Sequence, residues 1–250
     1  MTTPYQPDRS LMGKLRRRAV RLYLRRPARA PAAPMISFAF DDAPASAVTA
    51  GAAILQSRGL RGTFYIAASL AGAASPMGPV ADAAAVRRLA DAGHEIGCHT
   101  FSHLDCGQAG AALAVDDVER NRAALTAMGA PAPATFAYPY GDVAAPTKRA
   151  LAGRFALLRA LHHGLIAKGA DLNQAPAVGV EGPEGETIAF RWLKRAARRG
   201  AWLILYTHDV ADTPSPWGCT PGALARLADA AAARGVEVVT VAEGARRVGG

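Results

Sequence analysis

The sequence predicts an α/β protein: a distorted (β/α) barrel of about seven parallel strands, preceded by a short basic N-terminal helix or arm. Short apolar runs alternate with segments of helical length, and this alternation is typical of βαβ units in a parallel sheet. Glycines follow several of the predicted helices, where helix C-termini favour them. Polar side chains with metal-binding or acid–base chemistry follow several strands, which is where barrels collect their functional residues.

The predicted elements cover residues 35–241. The predicted strands are 35–41, 63–67, 95–98, 134–138, 155–158, 177–180, 202–207 and 236–241. The predicted helices are 46–58, 80–92, 109–128, 146–152, 186–199 and 221–234.

Length and composition favour one large domain. The chain has 250 residues, half of them hydrophobic, which suffices for a substantial core. We assign residues 35–250 to the barrel and residues 1–34 to the arm and a proline-rich linker. No run reaches the roughly 20 apolar residues of a membrane span, and no signal-peptide core is present, so we expect a cytoplasmic protein. Three cysteines cannot all pair, and reduced thiols are expected.

The positive charge is concentrated in the arm. Residues 1–30 hold nine basic side chains and one acidic one, a net +8 out of +9 for the whole chain. Residues 10–26 mix arginines with leucines and predict a short basic helix. Such a helix can lie on anionic lipid, which would place the protein peripherally at the inner face of the membrane. The alternative is a solvated basic tail. No groove-reading motif accompanies the charge, so nucleic acid is not an expected partner.

A candidate metal site begins where the first strand ends, at Asp41 and Asp42. Two adjacent carboxylates are costly to bury unless something pairs with them, and a metal ion would do so. His99 and His103 stand four residues apart, a spacing that puts two imidazoles on one face of a helical turn. Two histidines and one carboxylate leave coordination positions open for water, as catalytic zinc sites do. Zinc is the first expectation, and cobalt, nickel or iron accept the same ligands.

Acid–base roles follow from the same placement. An aspartate beside the metal that is not itself a ligand is placed to act as a general base. His208, after the strand at 202–207, could protonate a leaving group from the opposite side of the rim. The alternative for His208 is a hydrogen-bonded pair with Asp209 that caps the strand end.

Four motifs in order resemble the polysaccharide deacetylase (NodB-homology) family, the fourth carbohydrate esterase family. They are FAFDDAP, HTFSH, AYPYGD and LILYTHD, and the resemblance spans residues 35–241. It implies a distorted (β/α) barrel and a metal-dependent hydrolase that removes the N-acetyl group from an acetamido sugar. The expected partner is an N-acetylated sugar, an oligosaccharide or a lipid-linked glycan, attacked by water that the metal activates.

The resemblance also implies individual roles. Asp41 would be the base, His208 the acid, and Asp42, His99 and His103 the metal ligands. Four further residues would line the substrate site, with the backbone N–H of Tyr140 stabilising the oxyanion and two side chains walling the acetyl pocket. These four are Pro139, Tyr140, Leu205 and Tyr206, and a plain core role is the alternative for Leu205.

Two departures from the family pattern affect these expectations. Ala43 replaces the glycine after the aspartates, a mild change if its φ is negative. Ala137 stands where the family usually has an arginine that braces the base. We expect Arg159 to replace that arginine and Asp171 to pair with it, with ordinary surface charges as the alternative. Trp217 follows the last motif, where it could stack on a sugar or simply pack its loop.

Two other functions remain open from the sequence. One is deformylation, or another amide hydrolysis, of a lipid-linked amino sugar on the same machinery. The other is a catalytically silent glycan-binding relative, which Ala137 makes plausible. The five intact acid–base and metal-binding side chains argue against silence. An intracellular, lipid-linked glycan precursor suits the basic arm better than a finished cell-wall polymer.

Overall fold

A computed structural model describes residues 10–249, which form an α/β fold with ten strands and eight α-helices. The strands are β1 Met35–Asp41, β2 Thr63–Ile66, β3 Ala74–Ser75, β4 Gly78–Pro79, β5 Glu95–Cys98, β6 Thr135–Ala137, β7 Leu157–Arg159, β8 Val178–Gly179, β9 Trp202–Thr207 and β10 Glu237–Val238. The helices are α1 Leu11–Leu22, α2 Ala52–Gln56, α3 Ala83–Asp91, α4 Ala111–Ala127, α5 Ala145–Leu151, α6 Gly185–Arg199, α7 Pro221–Ala232 and α8 Val241–Val248. A short π-helix, Ala47–Gly51, precedes α2.

Seven parallel strands form a curled sheet in the order β7-β6-β5-β2-β1-β9-β8. β10 pairs with the start of β1, and β3 and β4 form a separate small hairpin. Residues 172–175 run along β7, where Leu158 N–H donates to Leu172 and Ala160 N–H donates to Ala175. The fold class expected from the sequence, a distorted (β/α) barrel, is confirmed.

Side chains alternate between the two faces of each strand, so the apolar core lies on one face of the sheet and the candidate site on the other. On β1, Phe38 and Phe40 face the helices in the largest apolar cluster, whereas Ala39 packs on the inner face with Tyr65 and Tyr206. Successive side chains of a strand point to opposite faces. Asp41 therefore shares the inner face with Ala39 and ends β1 at the carboxyl rim.

The predicted bounds agree with the structure for β1, β5 and β9. The fifth predicted strand lies later than expected, as β7, and includes Arg159. The last strand is shorter than predicted, because Thr240 caps a helix that the sequence pattern did not indicate, α8. The carboxylate of Glu95, on β5, accepts a hydrogen bond from Ala242 N–H. This bond anchors the start of α8 to the sheet, although the two residues are distant in sequence.

The basic arm is a docked helix. Val20 is buried in a cluster with Phe136 and Leu158, and Lys148 donates to the Val20 carbonyl. Arg16 forms an ion pair of 2.5 Å with Asp142. The opposite side of α1 leaves large apolar side chains in solvent, namely Leu11, Met12, Leu15 and Leu22. Across residues 10–249, none of the helices combines the length and the apolar character that a membrane crossing requires.

Candidate metal centre and active site

The aspartate pair at the end of β1 points in two directions. Asp41, the last residue of β1, is buried and accepts from Arg159 Nη2 at 2.7 Å on each carboxylate oxygen. Asp42 adopts a left-handed backbone with φ +57°, which turns its side chain towards the histidines. Its Oδ1 lies 3.4 Å from His103 Nε2 and 3.7 Å from His99 Nε2. One carboxylate thus faces a guanidinium and the other faces two imidazoles.

The two histidines converge from a loop and not from a helical turn, so the sequence expectation of helical geometry is wrong. Thr100 and His103 both have left-handed backbones, with φ +59° and +55°. Asp117 of α4 holds the loop by accepting from the backbone N–H groups of Phe101 and Ser102. Left-handed residues other than glycine are strained and persist only where the surroundings hold them, often at functional sites.

The residues present fit a divalent cation. Their ligand atoms, from Asp42, His99 and His103, all lie within 4.8 Å of one another. Nitrogen and oxygen ligands of tetrahedral zinc, with bonds of about 2.0–2.1 Å, stand roughly 3.3 Å apart, close to the two distances above. Asp42 Oδ1 is buried and has no hydrogen-bond partner among the described residues. A buried carboxylate oxygen without a donor requires compensation, and a cation would provide it.

His99 is oriented and kept neutral for this task. Its Nδ1 lies 2.8 Å from the carbonyl oxygen of Ala137, which can only accept, so Nδ1 carries the proton and Nε2 is left to bind a metal. Burial, reinforced by neighbouring His103, lowers the pKa of His99 to about 4. Neutral imidazole is the form that coordinates metal ions.

Arg159 occupies the place that Ala137 leaves without a cation. The two residues are register partners on the neighbouring strands β6 and β7, so the guanidinium reaches the same level of the barrel from one strand further along. It lies 5.1 Å from the ring of Tyr65 and 5.2 Å from the ring of Tyr206, between two aromatic faces. Burial acts to raise the pKa of Asp41, but the charges of Arg159, His99 and His208, together with the hydrogen bond from Arg159, outweigh it, and that pKa lies below its usual value.

Asp171 does not pair with Arg159, and this expectation from the sequence is wrong. Its carboxylate accepts from Lys148 Nζ at 2.6 Å and from Arg26 N–H at 2.9 Å. Asp171 therefore joins the arm to the barrel and has no contact with the base. The reason is its place in the chain, because Asp171 lies in a segment whose backbone is hydrogen-bonded to residues 26–28 of the arm.

His208 meets a carboxylate that sequence reasoning missed. Its Nδ1 lies 3.1 Å from Glu181 Oε1, and the Trp217 carbonyl is 3.3 Å away. Burial acts to lower the pKa of His208, but Glu181 and the two aspartates outweigh it and raise this pKa to about 9. Asp209 faces elsewhere, accepting from the N–H and hydroxyl of Ser215, so the alternative of a His208–Asp209 pair does not hold. Glu181 directly follows the predicted sixth strand, so the strand-end rule could have found it.

The backbone is strained at Ala43, which stands where the family has a glycine. Its φ is +44°, so the condition for a mild substitution is not met, and the alanine holds a conformation that favours glycine. Tyr140 has φ +57° and packs its ring edge-on against His103, with centroids 4.6 Å apart. Pro139 is buried beside it.

The remaining predicted substrate residues divide into two groups. Tyr206 lies on the inner face near Arg159, and its ring is 6.4 Å from that of His208. Trp217 is 47% exposed next to His208, so its indole is accessible. Leu205 lies on the opposite face of β9, in the apolar cluster with Phe38, which matches its alternative role in the core.

A cation site of one carboxylate and two imidazoles, flanked by a carboxylate–arginine pair and a histidine–glutamate pair at the carboxyl rim of a barrel, defines a metallohydrolase type of centre. The sequence profile named polysaccharide deacetylase matches residues 28–154, half of the chain. The chain therefore belongs to the polysaccharide deacetylase family. No curated protein matches the chain.

Solved structures share the fold at low sequence identity. The chitin deacetylase of the fungal pathogen Colletotrichum lindemuthianum superposes with a TM-score of 0.60 at 19% identity, covering 86% of this chain and 89% of that one. The family 4 acetyl xylan esterase of Clostridium thermocellum, in complex with a cobalt ion, gives 0.58 at 21% identity, covering 84% and 89%. The family 4 carbohydrate esterase of Streptomyces lividans, in complex with acetate, gives 0.54 at 20% identity, covering 84% and 93%.

Proposed function

We propose that the protein is a metal-dependent hydrolase that removes the N-acetyl group from an acetamido sugar. The observation that carries the proposal is the clustering of Asp42, His99 and His103 between two acid–base groups, Asp41 and His208. A divalent cation held there would polarise the amide carbonyl and make a coordinated water more acidic.

The chain's own residues would handle the protons. The carboxylate of Asp41 would take a proton from the attacking water, while Arg159 holds that carboxylate in place and ionised. His208, protonated and held at Nδ1 by Glu181, would give its Nε2 proton to the amide nitrogen as the C–N bond breaks. Acetate and the free amine are the products. The backbone N–H of Tyr140 is our candidate for an oxyanion donor.

The arginine at position 159 also bears on the silent alternative. Ala137 was the reason to consider a protein without activity, and the ion pair between Asp41 and Arg159 removes that reason. We propose zinc as the resident metal, with cobalt as the first substitute to test, because nitrogen and oxygen ligands of this kind accept both.

Metal content and amine release test this proposal together. Purified protein should bind about one zinc ion per chain and release amine from acetylated chito-oligosaccharides. Asp42→Ala should lose both properties, whereas the control Asp91→Ala, at an exposed residue of α3, should keep both. Equal metal content in the Asp42→Ala protein would refute the ligand assignment. Faster release from N-formyl than from N-acetyl sugars would instead favour the deformylase alternative.

We also propose that α1 attaches the protein to an anionic membrane surface. Leu11, Leu15 and Leu22 are 62–78% exposed and recur on the side of α1 that faces away from the barrel. Lys14 and Arg18 are exposed on the same helix and would add attraction to anionic headgroups. The cytoplasmic location stays a prediction from the sequence.

Vesicle flotation of the full chain tests this attachment. Protein should float with vesicles of phosphatidylglycerol and phosphatidylcholine and less with pure phosphatidylcholine. Replacing Leu11, Leu15 and Leu22 by serine should abolish flotation without changing the barrel's melting temperature. Equal flotation of the triple variant would refute a role for the exposed leucines.

A further inference from the structure

A second feature of α1 is a row of arginines facing the barrel's rim. Arg17 and Arg21 stand four residues apart on α1, the spacing that aligns side chains along one face of a helix, and Arg25 follows shortly after the end of the helix. Arg17 and Arg21 line a cavity of about 240 Å³, and Arg21 and Arg25 line a second of about 330 Å³. The two cavities share Arg21, His162 and Gln174, so they adjoin. We call them together the arginine groove.

The arginine groove lies next to the candidate active site, with Tyr140 between them. Tyr140, whose ring contacts His103, forms part of the lining beside Arg17. A substrate whose acetamido group lies at the cation site would therefore reach the groove with its neighbouring atoms. Leu161 and Pro176 supply apolar surface along the same lining.

The positive charge in the groove is not neutralised by nearby acids. Two carboxylates border it, and each is already paired: Asp142 with Arg16 and Asp171 with Lys148. Among residues 10–249, the side chains of Arg17 and Arg21 have no carboxylate within ion-pair distance. Burial, followed by the charge of Arg17, lowers the pKa of Arg21, and the charge of Asp142, which is paired with Arg16, offsets this only in part.

His162 adds a polar group directed into the same space. It is half-buried, and its Nδ1 has no hydrogen-bond partner within the described part of the chain. The carbonyl oxygen of Gln174 accepts a hydrogen bond from Lys148 Nζ, which leaves the side-chain amide NH2 at the groove lining. Two guanidinium groups, an imidazole nitrogen and an amide form a suitable set for phosphate oxygens.

We propose that the arginine groove binds a phosphate group attached to the sugar that is deacetylated. This inference rests on the proposed function for the identity of the acetamido group, and it names the rest of the substrate. The substrate would be a sugar phosphate or diphosphate, in soluble or lipid-linked form, and not a neutral polysaccharide. Arg17 and Arg21 would be the principal contacts, and Arg25 would extend the site towards a second phosphate.

Binding of pyrophosphate to metal-free protein tests the groove without relying on catalysis. Calorimetry at low salt should detect binding to the full chain, and removal of the metal prevents phosphate from coordinating it. Each lost arginine contact should weaken binding about tenfold, so Arg17→Gln with Arg21→Gln should weaken it roughly a hundredfold. Arg191→Gln with Arg198→Gln, at exposed positions of α6, removes the same charge elsewhere and should bind as the original protein does.

Kinetics with metal-loaded protein then test the substrate. Chitobiose 1-phosphate should have a KM at least about tenfold lower than chitobiose, and the Arg17/Arg21 variant should lose this preference. The KM for a lipid-linked chitobiose diphosphate in detergent is then compared with the KM for chitobiose 1-phosphate. The lower of the two values shows whether the lipid-linked or the soluble form is the preferred substrate.

The outcomes separate the two proposals. If no substrate releases amine but pyrophosphate binds through Arg17 and Arg21, the proposed function fails and the groove stands. If chitobiose is deacetylated but all proteins bind pyrophosphate equally, the attraction is that of a basic protein for any anion, and the groove proposal is overturned. If the Arg17/Arg21 variant keeps the preference for chitobiose 1-phosphate over chitobiose, the groove proposal is overturned as well.

Discussion

Replacement of Arg159 by leucine tests the ion pair on which the candidate base depends. Arg159 and Asp41 are both inaccessible to solvent, and one nitrogen contacts both carboxylate oxygens at 2.7 Å. Arg159→Leu leaves a buried carboxylate without a counter-charge, a change that typically costs about 3–5 kcal/mol. Arg159 Nε and Nη1 are themselves buried without partners in the described structure, so their removal offsets part of this loss. We therefore expect the lower end, about 3 kcal/mol.

Urea unfolding and thermal melting measure this loss. For a domain of this size, 3 kcal/mol corresponds to a fall in Tm of about 6–12 °C. Activity should fall with stability, because Asp41 loses its orientation. Arg226→Leu is the matched control, since Arg226 also contacts both oxygens of one carboxylate, that of Glu186, but does so in solvent. Its removal should change stability little.

A double-mutant cycle distinguishes the charge pair from the cavity that leucine leaves. Asp41→Asn alone strands a buried guanidinium, and Arg159→Leu alone strands a buried carboxylate. The double variant strands neither, so its destabilisation should be about 2 kcal/mol or more below the sum of the two single effects. Strictly additive effects would refute the reasoning. The double variant Ala137→Arg with Arg159→Ala should recover part of the activity that Arg159→Ala alone loses, because the two positions are register partners.

Three further changes test other contacts. Glu181→Gln should lower the pKa of His208 from about 9, so the alkaline fall in kcat/KM should begin at lower pH; identical pH profiles would contradict the pairing. Gly97→Ala would place a methyl group 2.5 Å from the Tyr65 ring and should lower the free energy of unfolding by about 1–3 kcal/mol, measured in urea; an unchanged midpoint would disprove the close contact. Val20→Asp puts a carboxylate into an apolar cluster and should release α1, seen as faster tryptic cleavage among its arginines; an unchanged rate would argue against docking.

Much of the candidate site was predictable because it follows strand ends. The sequence pattern placed Asp41 and Asp42 after β1, His99 after β5 and His208 after β9, and the carboxyl ends of parallel strands meet on one rim. The structure brings the three expected ligands together. Glu181 follows β8, the strand predicted at 177–180, and obeys the same rule, so the sequence pattern contained the signal for it as well.

The sequence by itself determined the order of the parallel strands and of the helices between them, the rim on which the polar residues gather, and the basic character of the arm. Those properties depend on the period of apolar residues and on local composition, which are read along the chain. Only the tertiary structure decided that Arg159 braces Asp41, that Asp171 instead holds the arm, and that the histidine loop closes through left-handed residues. The first depends on which strands are neighbours and in what register, because Asp41 and Arg159 are distant in sequence and carry no local trace of their pairing. The other two depend on how α5 and α4 pack against the loops that Lys148 and Asp117 contact.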